Sequence, residues 1–264
     1  MIEQEIKVPV LIMGGGTTPA KLQGITTEME RAFIPLLGRS LIGHTIDNIR
    51  HCPFISSITI VGNPKRLAEE FKGENYAYFE DTGSLYENLM LGLKELEAHR
   101  QVLVMTSDVP LVTGDILAST VDECFKSDAE CYYPIVAKNV SERKFPGGER
   151  TYVTMKEGQF TGGNVFLISP KAVLRNEHIF QSVIRDRKNP LKLARLFGLS
   201  FIFMMLFGML DIPMLEKKAS QILGVKIKAV ISPNPEIAFD VDKETDYVQV
   251  KRFLEKRREN GSKT

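Results

Sequence analysis

Three consecutive glycines, Gly14, Gly15 and Gly16, directly follow the apolar run VPVLIM, and Lys21 comes shortly after them. Glycine is entropically costly and is usually kept where the backbone must turn sharply or approach a ligand closely. Backbone N–H groups in such a loop can surround anionic oxygens, and a lysine can add a mobile positive charge. The segment therefore indicates an anion-binding loop. A tight strand-to-helix connection that binds nothing is the alternative.

Two well-known phosphate-binding motifs do not match this loop. The P-loop requires the spacing G-x-x-x-x-G-K-[ST], which does not occur here. The dinucleotide-binding motif G-x-G-x-x-G would need glycine where Pro19 stands. It would also need an acidic residue after the second strand, where the sequence reads VGNPKR. The loop is therefore of another type.

Acidic residues lie at two distant places where apolar segments end. Asp108 follows the run VLVMTS, and Asp240 and Asp242 come shortly before a C-terminal helical pattern. Mg²⁺ binds one or two carboxylates and completes its shell with water and substrate phosphates, so acids that meet at one edge would suit it. Each acid also has a structural alternative, because Asp108 could stabilise the turn that follows it and Asp242 could cap the last helix.

Apolar runs alternate with helical patterns along the first half of the chain. Strands are predicted at 8–13, 55–62, 101–108 and 131–137, and helices at 41–52, 64–73, 84–100 and 114–126. This alternation predicts an α/β protein with a Rossmann-like, mostly parallel sheet that is covered by helices on both faces. Ligands of such sheets bind outside the carboxyl ends of the strands. That edge would carry the glycine loop, residues 106–110 and the turn after Gly62.

The regular alternation breaks after residue 150. Residues 150–169 predict two short strands around a Lys-Glu-Gly turn and then a third strand, 170–224 predict a helical insertion, 226–232 a strand, and 244–261 a terminal helix. With no internal repeat or low-complexity linker, we expect a single domain over residues 1–264. The most apolar stretch, 196–210, is shorter than the roughly 20 residues of a membrane-spanning helix. We expect it to form a buried helix packed within the chain, with a homodimer contact as the second alternative and membrane association as the last.

Composition excludes several broad classes of protein. The 264 residues carry a formal net charge of +1, which argues against nucleic acid as a partner. The three cysteines form no C-x-x-C pair and predict reduced thiols in a cytoplasmic protein. The four histidines show no metal-ligand spacing, and the acidic N-terminal segment with its very short apolar run predicts no signal peptide.

The segment GGGTTPAKLQGITTEMERAFIPLLGRSLI resembles the opening signature of nucleotidyltransferases with the nucleotide-diphospho-sugar transferase fold, and most specifically that of MobA-like NTP transferases. In that family a Gly-rich loop with a basic residue precedes K-x-L-x-P-x-x-G-x-P-L-I, which here reads RAFIPLLGRSLI. GSLYENLMLGL, TSDVPL, FTGGNVFL and FDVDKETD then follow in family order. The resemblance covers the chain from about residue 8 to 250, and this conjunction is far more specific than any one motif.

The resemblance implies a Mg²⁺-dependent enzyme that transfers a nucleoside monophosphate from an NTP to a phosphorylated or hydroxyl acceptor and releases pyrophosphate. The metal would lie on Asp108 and Asp242, with Asp240 as a rival for the second position. The implied catalytic residues are Lys21, Arg31 and Asp108. The implied nucleotide-binding residues are Gly14, Gly15, Gly16, Ser84 and Asn88.

The same resemblance implies an acceptor side in an insertion at about 140–224. The residues concerned are Gly162, Gly163, Asn164 and Lys188, with Lys144 and Arg150 as further cations that could bind an anionic acceptor. Lysines and arginines in loops are more often simply solvated, which is the alternative for these three cations. For Ser84, Asn88, Gly162, Gly163 and Asn164, a helix start or a tight turn is an equally good explanation.

Two departures from the family pattern are visible. Arg31 stands where the family usually has lysine, and Ser40 where it has proline. Arginine keeps the positive charge but presents a planar fork, which could clamp a phosphate with two bonds or alter the substrate geometry. A non-catalytic nucleotide-binding or regulatory protein is therefore one alternative. A glycosyltransferase that uses the D-x-D string at 240–242 is another, although that string lies unusually near the C-terminus.

Overall fold

The computed structural model describes residues 7–148, 150–186, 197–198, 201, 203–204 and 207–261. The strands in these ranges are β1 (Val8–Met13), β2 (Pro35–Leu36), β3 (Arg39–Ser40), β4 (Ile55–Gly62), β5 (Ala77–Glu80), β6 (Val102–Thr106), β7 (Cys131–Ala137), β8 (Val153–Met155), β9 (Gly158–Gly162), β10 (Val165–Ile168) and β11 (Ile227–Ser232). The α-helices are α1 (Leu41–Ile49), α2 (Pro64–Glu70), α3 (Leu85–Glu95), α4 (Gly114–Phe125), α5 (Lys138–Lys144), α6 (Pro170–Arg175), α7 (Glu177–Asp186), α8 (Ile212–Leu223) and α9 (Glu244–Gly261).

One large sheet organises the molecule. Its strands run in the order β5-β4-β1-β6-β10-β7, and β11 pairs parallel along β7. β1 lies parallel to both β4 and β6, whereas β10 is antiparallel to β6 and β7. The β8-β9 hairpin continues the sheet from the second half of β7. The carboxyl ends of β1, β4 and β6 therefore share one edge, as parallel pairing requires.

β1 shows why the sheet forms at the centre of the molecule. All six of its residues are buried. Val10 and Ile12 belong to the apolar cluster on one face, while Leu11 and Met13 belong to the cluster on the other. Burying each such side chain contributes roughly 1.5–3 kcal/mol, so covering both faces holds the strand firmly. The rigid strand then delivers Gly14 to the edge of the sheet.

The predicted fold class is confirmed, and three strands have the predicted bounds: 8–13, 55–62 and 131–137. The sequence patterns missed β5 and α5. β5 has only four residues and pairs with β4 as the outermost strand, with its side chains exposed or half-buried, so it lacks an apolar pattern. α5 has the sequence KNVSERK, a short polar helix that likewise lacks an apolar pattern.

The helical insertion is represented by α6, α7 and α8. Part of the apolar stretch 196–210 lies outside the described residues. Phe203 and Phe207 are 56% and 64% exposed, so the expectation of burial is wrong for both, although Leu210 is buried. Their rings lie 4.4 Å apart, which lowers the apolar surface that each presents to water. No helix within the described ranges is both long and apolar enough to cross a membrane.

Candidate active site

The glycine loop (Gly14–Gly16) starts where β1 ends. The N–H of Gly14 donates to the carbonyl oxygen of Val61 in β4 at 2.7 Å. Gly16 has a φ of 98°, a left-handed conformation that favours glycine. A Cβ on residue 15 would lie 2.5 Å from the carboxyl carbon of Asp81, so Gly15 is required by close packing. Within the described part of the chain, no acceptor is found for the N–H of Gly15, which leaves it available to a ligand.

Asp81, directly after β5, holds this loop in place. Its carboxylate accepts hydrogen bonds from the N–H groups of Gly16 and Gly83, both at 2.9 Å, and from the amide of Asn88 at 2.6 Å. Partial burial alone would raise the pKa of Asp81, but the hydrogen bonds from Asn88, Gly16 and Gly83 bring it below the ordinary value. The carboxylate thus stays ionised and ties the glycine loop to the turn that precedes α3.

The predicted nucleotide-binding side chains of that turn have structural partners. Ser84 caps α3, and its Oγ accepts a hydrogen bond from the N–H of Glu87 at 3.4 Å. Asn88 is buried and its side-chain oxygen accepts from the N–H and the hydroxyl of Thr82 at 2.9 and 2.8 Å. Both side chains therefore shape the turn, and their direct contact with a nucleotide stays a prediction.

Lys21 lies in a short 3₁₀ turn, Ala20–Leu22, that follows the glycine loop. Its side chain is exposed. Among the ion pairs of the described residues, none involves Lys21. A lysine with this freedom can move to an anionic ligand at the loop.

The distant acids meet at the edge of the sheet. Asp108 follows β6, and its carbonyl oxygen accepts a hydrogen bond from the N–H of Val241 at 3.0 Å. That backbone bond fixes the segment 240–242 beside the end of β6. The Asp108 side chain is 4% exposed, that of Asp240 25% and that of Asp242 53%, so the group opens towards solvent on the side of Asp242.

Arg31 lies between these three carboxylates. One terminal guanidinium nitrogen contacts Asp108 and lies 3.3 Å from Asp240 and 3.2 Å from Asp242. The backbone N–H of Arg31 donates to the carbonyl oxygen of Gly16 at 3.1 Å, which places the arginine against the glycine loop as well. The loop, the arginine and the acids thus form one continuous site.

Burial and charge oppose each other in this group. Burial raises the pKa of Asp108, and the guanidinium of Arg31 acts in the opposite direction. For Arg31, burial alone would lower the pKa, but Asp108, Asp240 and Asp242 raise it above the ordinary value. In the part of the chain that the structure describes, Oδ1 of Asp108 and Nε of Arg31 are buried without a hydrogen-bond partner, as are Nε of Arg150 and Oδ1 of Asp246.

A second layer of ion pairs lies behind the acids. Arg150 donates to the carbonyl oxygen of Asp240 at 3.0 Å and pairs with Asp246 at 3.4 Å. Lys144 pairs with Glu236, whose side chain is 2% exposed. Arg150 and Lys144, for which acceptor binding and simple solvation were the two alternatives, are thus held by acids in this structure. Lys188, the third, lies outside the described residues.

The proposed acceptor side lies at the junction of β9 and β10. A Cβ on residue 162 would lie 1.7 Å from the hydroxyl oxygen of Tyr133, so close packing against Tyr133 explains why this residue is glycine. A Cβ on residue 163 would lie 3.1 Å from a backbone oxygen. The carbonyl oxygen of Asn164 accepts a backbone hydrogen bond from Thr106 at 3.2 Å, so Asn164 stands beside the end of β6, at the same edge of the sheet as the acids. As far as the described residues show, the Asn164 side chain makes no hydrogen bond.

The comparison with known families agrees with this geometry. A model of the MobA-like NTP transferase domain matches residues 11–184, which include the glycine loop, Arg31 and Asp108. The chain belongs to the MobA-like NTP transferase family. It is accordingly a nucleotidyltransferase enzyme, and the resemblance seen in the sequence is confirmed.

Known proteins show how far the likeness of this transferase extends. A hypothetical transferase from Thermus thermophilus is 30% identical, with a TM-score of 0.80 over 91% of this chain and 99% of that one. A 2-C-methyl-D-erythritol 4-phosphate cytidylyltransferase, also from Thermus thermophilus, shares the fold at 16% identity, with a TM-score of 0.54 over 94% and 99%. The bifunctional protein GlmU of Symbiobacterium thermophilum is 25% identical over 129 residues, 47% of this chain. The match spans only 26% of the length of that curated relative.

Sequence reasoning missed Asp81, although it sits directly before the Thr82-Gly83-Ser84 turn. Its importance depends on β5, which carries it to the glycine loop, and β5 has no clear sequence pattern. The sequence does contain one indication: Asp81 precedes a glycine-containing turn, and the glycine loop is a second such turn. A carboxylate close to both turns can accept hydrogen bonds from several backbone N–H groups. Only the paired strands bring the two turns together.

We expect Asp81→Asn to loosen the glycine loop of this transferase. The amide places an NH₂ group where a carboxylate oxygen now accepts an N–H, and losing such a bond costs on the order of 1–3 kcal/mol. Amide hydrogen exchange at Gly16 and Gly83 should therefore become about tenfold faster or more. Asp128→Asn is a matched control, because the Asp128 side chain is 84% exposed. Equal exchange rates in Asp81→Asn and the parent protein would contradict the role.

Proposed function

We propose that this enzyme transfers a nucleoside monophosphate from an NTP to a phosphorylated or hydroxyl acceptor, with Mg²⁺ as cofactor and pyrophosphate as the leaving group. An acceptor oxygen attacks the α-phosphorus in line, the bond from that phosphorus to the bridging oxygen breaks, and pyrophosphate departs with the electron pair. Little covalent work falls to the protein in such reactions, so positioning and charge neutralisation carry the rate.

One observation carries the proposal: Arg31 joins the glycine loop to three carboxylates that come from distant parts of the chain. Three acids and one guanidinium carry a formal net charge of −2 at the edge of the sheet. A triphosphate is itself strongly anionic, so it needs cationic groups to lie beside this cluster. Lys21 supplies one mobile charge, and a divalent cation would supply the rest.

The residues present suit Mg²⁺ in their chemistry. Carboxylate oxygens are its preferred protein ligands, and Asp108, Asp240 and Asp242 each bring one such oxygen into contact with a single nitrogen of Arg31. Asp108 and Asp242 would hold the ion, with Asp240 as the rival of Asp242. A bound Mg²⁺ neutralises phosphate charge and orients the phosphate oxygens. Among the described residues, no three acidic, histidine or cysteine side chains are already arranged as a metal cage, which agrees with Arg31 lying between the acids.

The other residues fall into two proposed groups. The glycine loop supplies the free N–H of Gly15 to the nucleotide, and Asp81 keeps that loop in place. The acceptor lies beside Asn164, in the insertion at about 140–224, where the free side-chain amide can bind a hydroxyl or phosphate oxygen. Gly162 and Gly163 let the backbone pack closely there.

Product analysis tests this function. The purified protein is incubated with each of the four NTPs, Mg²⁺ and a panel of small phosphorylated and hydroxylated acceptors, and pyrophosphate is measured. Pyrophosphate is expected with one NTP and a subset of acceptors, and its formation should stop when EDTA is added. Calorimetric binding of each NTP is measured in parallel.

Two results would contradict the proposal. An NTP that binds without any release of pyrophosphate would favour a regulatory protein. Release of a nucleoside diphosphate from nucleotide sugars, without pyrophosphate from NTPs, would favour a glycosyltransferase that uses the D-x-D string. In the present structure Asp240 and Asp242 of that string contact the same guanidinium, that of Arg31, as Asp108 does.

A further inference from the structure

Arg31 occupies the position where the three carboxylates converge. A single guanidinium nitrogen contacts Asp108, Asp240 and Asp242, and it also donates to the carbonyl oxygen of Val241 at 3.2 Å. A cation that joins the three oxygens contacted by Arg31, which are Oδ2 of Asp108, Oδ2 of Asp240 and Oδ1 of Asp242, has to take the place of this nitrogen. Arg31 and a divalent cation held by these oxygens therefore compete for one location.

The contacts of Arg31 are also incomplete. Within the described residues, no hydrogen-bond partner is found for its buried Nε or for Oδ1 of Asp108. The structural pair of Arg150 with Asp246 leaves the same two kinds of atom unpaired, so this feature is common to both networks. What distinguishes Arg31 is that one nitrogen contacts three carboxylates, of which Asp242 is 53% exposed and open to a ligand.

The position of the Arg31 backbone links this cluster to the nucleotide side. Its N–H bonds to Gly16, so the side chain begins at the glycine loop and extends to the acids. One terminal nitrogen makes all three contacts with the carboxylates, and the planar fork of arginine carries further N–H groups, whereas the compact ammonium of lysine acts as a single point charge. The same fork also suits phosphate oxygens.

We propose that Arg31 is an internal counter-cation, which neutralises the acid cluster while the nucleotide is absent and yields that position to the divalent cation when the NTP binds. The guanidinium then turns to the phosphate oxygens beside the glycine loop. The proposal rests on the function proposed above. It makes the acid cluster a weak metal site until the triphosphate draws Arg31 away, so metal binding and nucleotide binding favour each other.

Binding of Mn²⁺ alone, measured by electron paramagnetic resonance on the nucleotide-free protein, tests this inference. Arg31→Ala should bind Mn²⁺ about tenfold more tightly than the parent protein, because a charge-assisted contact no longer competes. The difference should shrink when a non-hydrolysable NTP analogue is present. Arg66→Ala is the matched control, since Arg66 also bridges two acids, Glu28 at 2.8 Å and Glu30 at 3.0 Å, outside this cluster. Its Mn²⁺ affinity should equal that of the parent protein.

Arg31→Lys keeps the inference testable if removing the side chain prevents folding. Lysine retains the charge but not the fork, so its Mn²⁺ affinity should lie between those of the parent protein and Arg31→Ala. Equal or weaker Mn²⁺ binding in both variants would overturn the inference, and so would an equal gain in Arg66→Ala. If no NTP binds to the parent protein, the proposed function fails, while the Mn²⁺ measurements still decide the role of Arg31.

Discussion

Asp108→Asn should lower turnover by about 10²-fold or more, because it removes a carboxylate at the centre of the acid cluster. The fold should be retained, since asparagine has nearly the same shape. Burial raises the pKa of Asp108 because the ionised side chain is costly to bury, and a neutral amide removes that cost. Turnover is measured as pyrophosphate release with the NTP identified in the product assay, and folding by thermal denaturation.

A matched variant shows whether the loss depends on position. Asp122 is exposed on α4, so Asp122→Asn removes the same charge away from the edge of the sheet. It should leave turnover unchanged. Turnover near the parent value in a folded Asp108→Asn protein would remove Asp108 from the catalytic residues and, with it, the metal site proposed on this carboxylate.

Arg150→Met should reduce the free energy of unfolding by about 3–5 kcal/mol at neutral pH, because it leaves a buried carboxylate without its counter-ion. The Asp246 side chain is 1% exposed and lies 3.4 Å from Arg150, whose guanidinium also lies 4.3 Å from the ring centre of Phe239. Methionine preserves much of the apolar stem, so the change tests the charge more than the packing. Urea denaturation measures the effect, with Lys156→Met, a surface ion pair, as the control expected to lose at most about 1 kcal/mol.

The pH dependence of Arg150→Met follows from Asp246. Burial raises the pKa of Asp246 in the folded protein, and Arg150 opposes this. A carboxyl whose folded-state pKa is raised disfavours folding above that pKa, and the penalty fades as the pH falls through it. Removing Arg150 raises the pKa further, so the difference in stability between parent and variant should narrow on acidification. A difference that is constant from about pH 8 to about pH 5 would show that Asp246 is not responsible.

The ordering of strands and helices could be predicted from the chain because each long element carries a repeating apolar pattern. VPVLIM is apolar throughout since β1 is covered on both faces, and the pattern of α3 and α4 follows the helical period. The glycine loop and Asp108 were recognisable for a related reason: each directly follows such a run, at the end of a strand. Parallel strands place those ends at one edge, so a common site was expected there.

The partners of each side chain depended on tertiary contacts. Asp81 reaches the glycine loop because the short edge strand β5 pairs with β4. The four-residue sequence of β5, Ala-Tyr-Phe-Glu, has no pattern that predicts this pairing. Arg150 was expected to bind an acceptor or to be solvated, yet it lies on Phe239 and pairs with the buried Asp246 of α9. Charge and position along the chain do not distinguish a buried arginine from a solvated one.

The sequence by itself determined the α/β sheet, the family, and the edge of the sheet at which the candidate site lies. These features depend on local apolar periodicity and on the order of the motifs, and both can be recognised without knowing any tertiary contact. Only the tertiary structure decided that Arg31 contacts Asp108, Asp240 and Asp242 at once. These contacts join residues about 80 to 210 positions apart, and they arise from sheet pairing and from the bond between Val241 and Asp108. Sequence spacing carries no information on which of several acids a given arginine will meet, because that choice depends on distances set by packing.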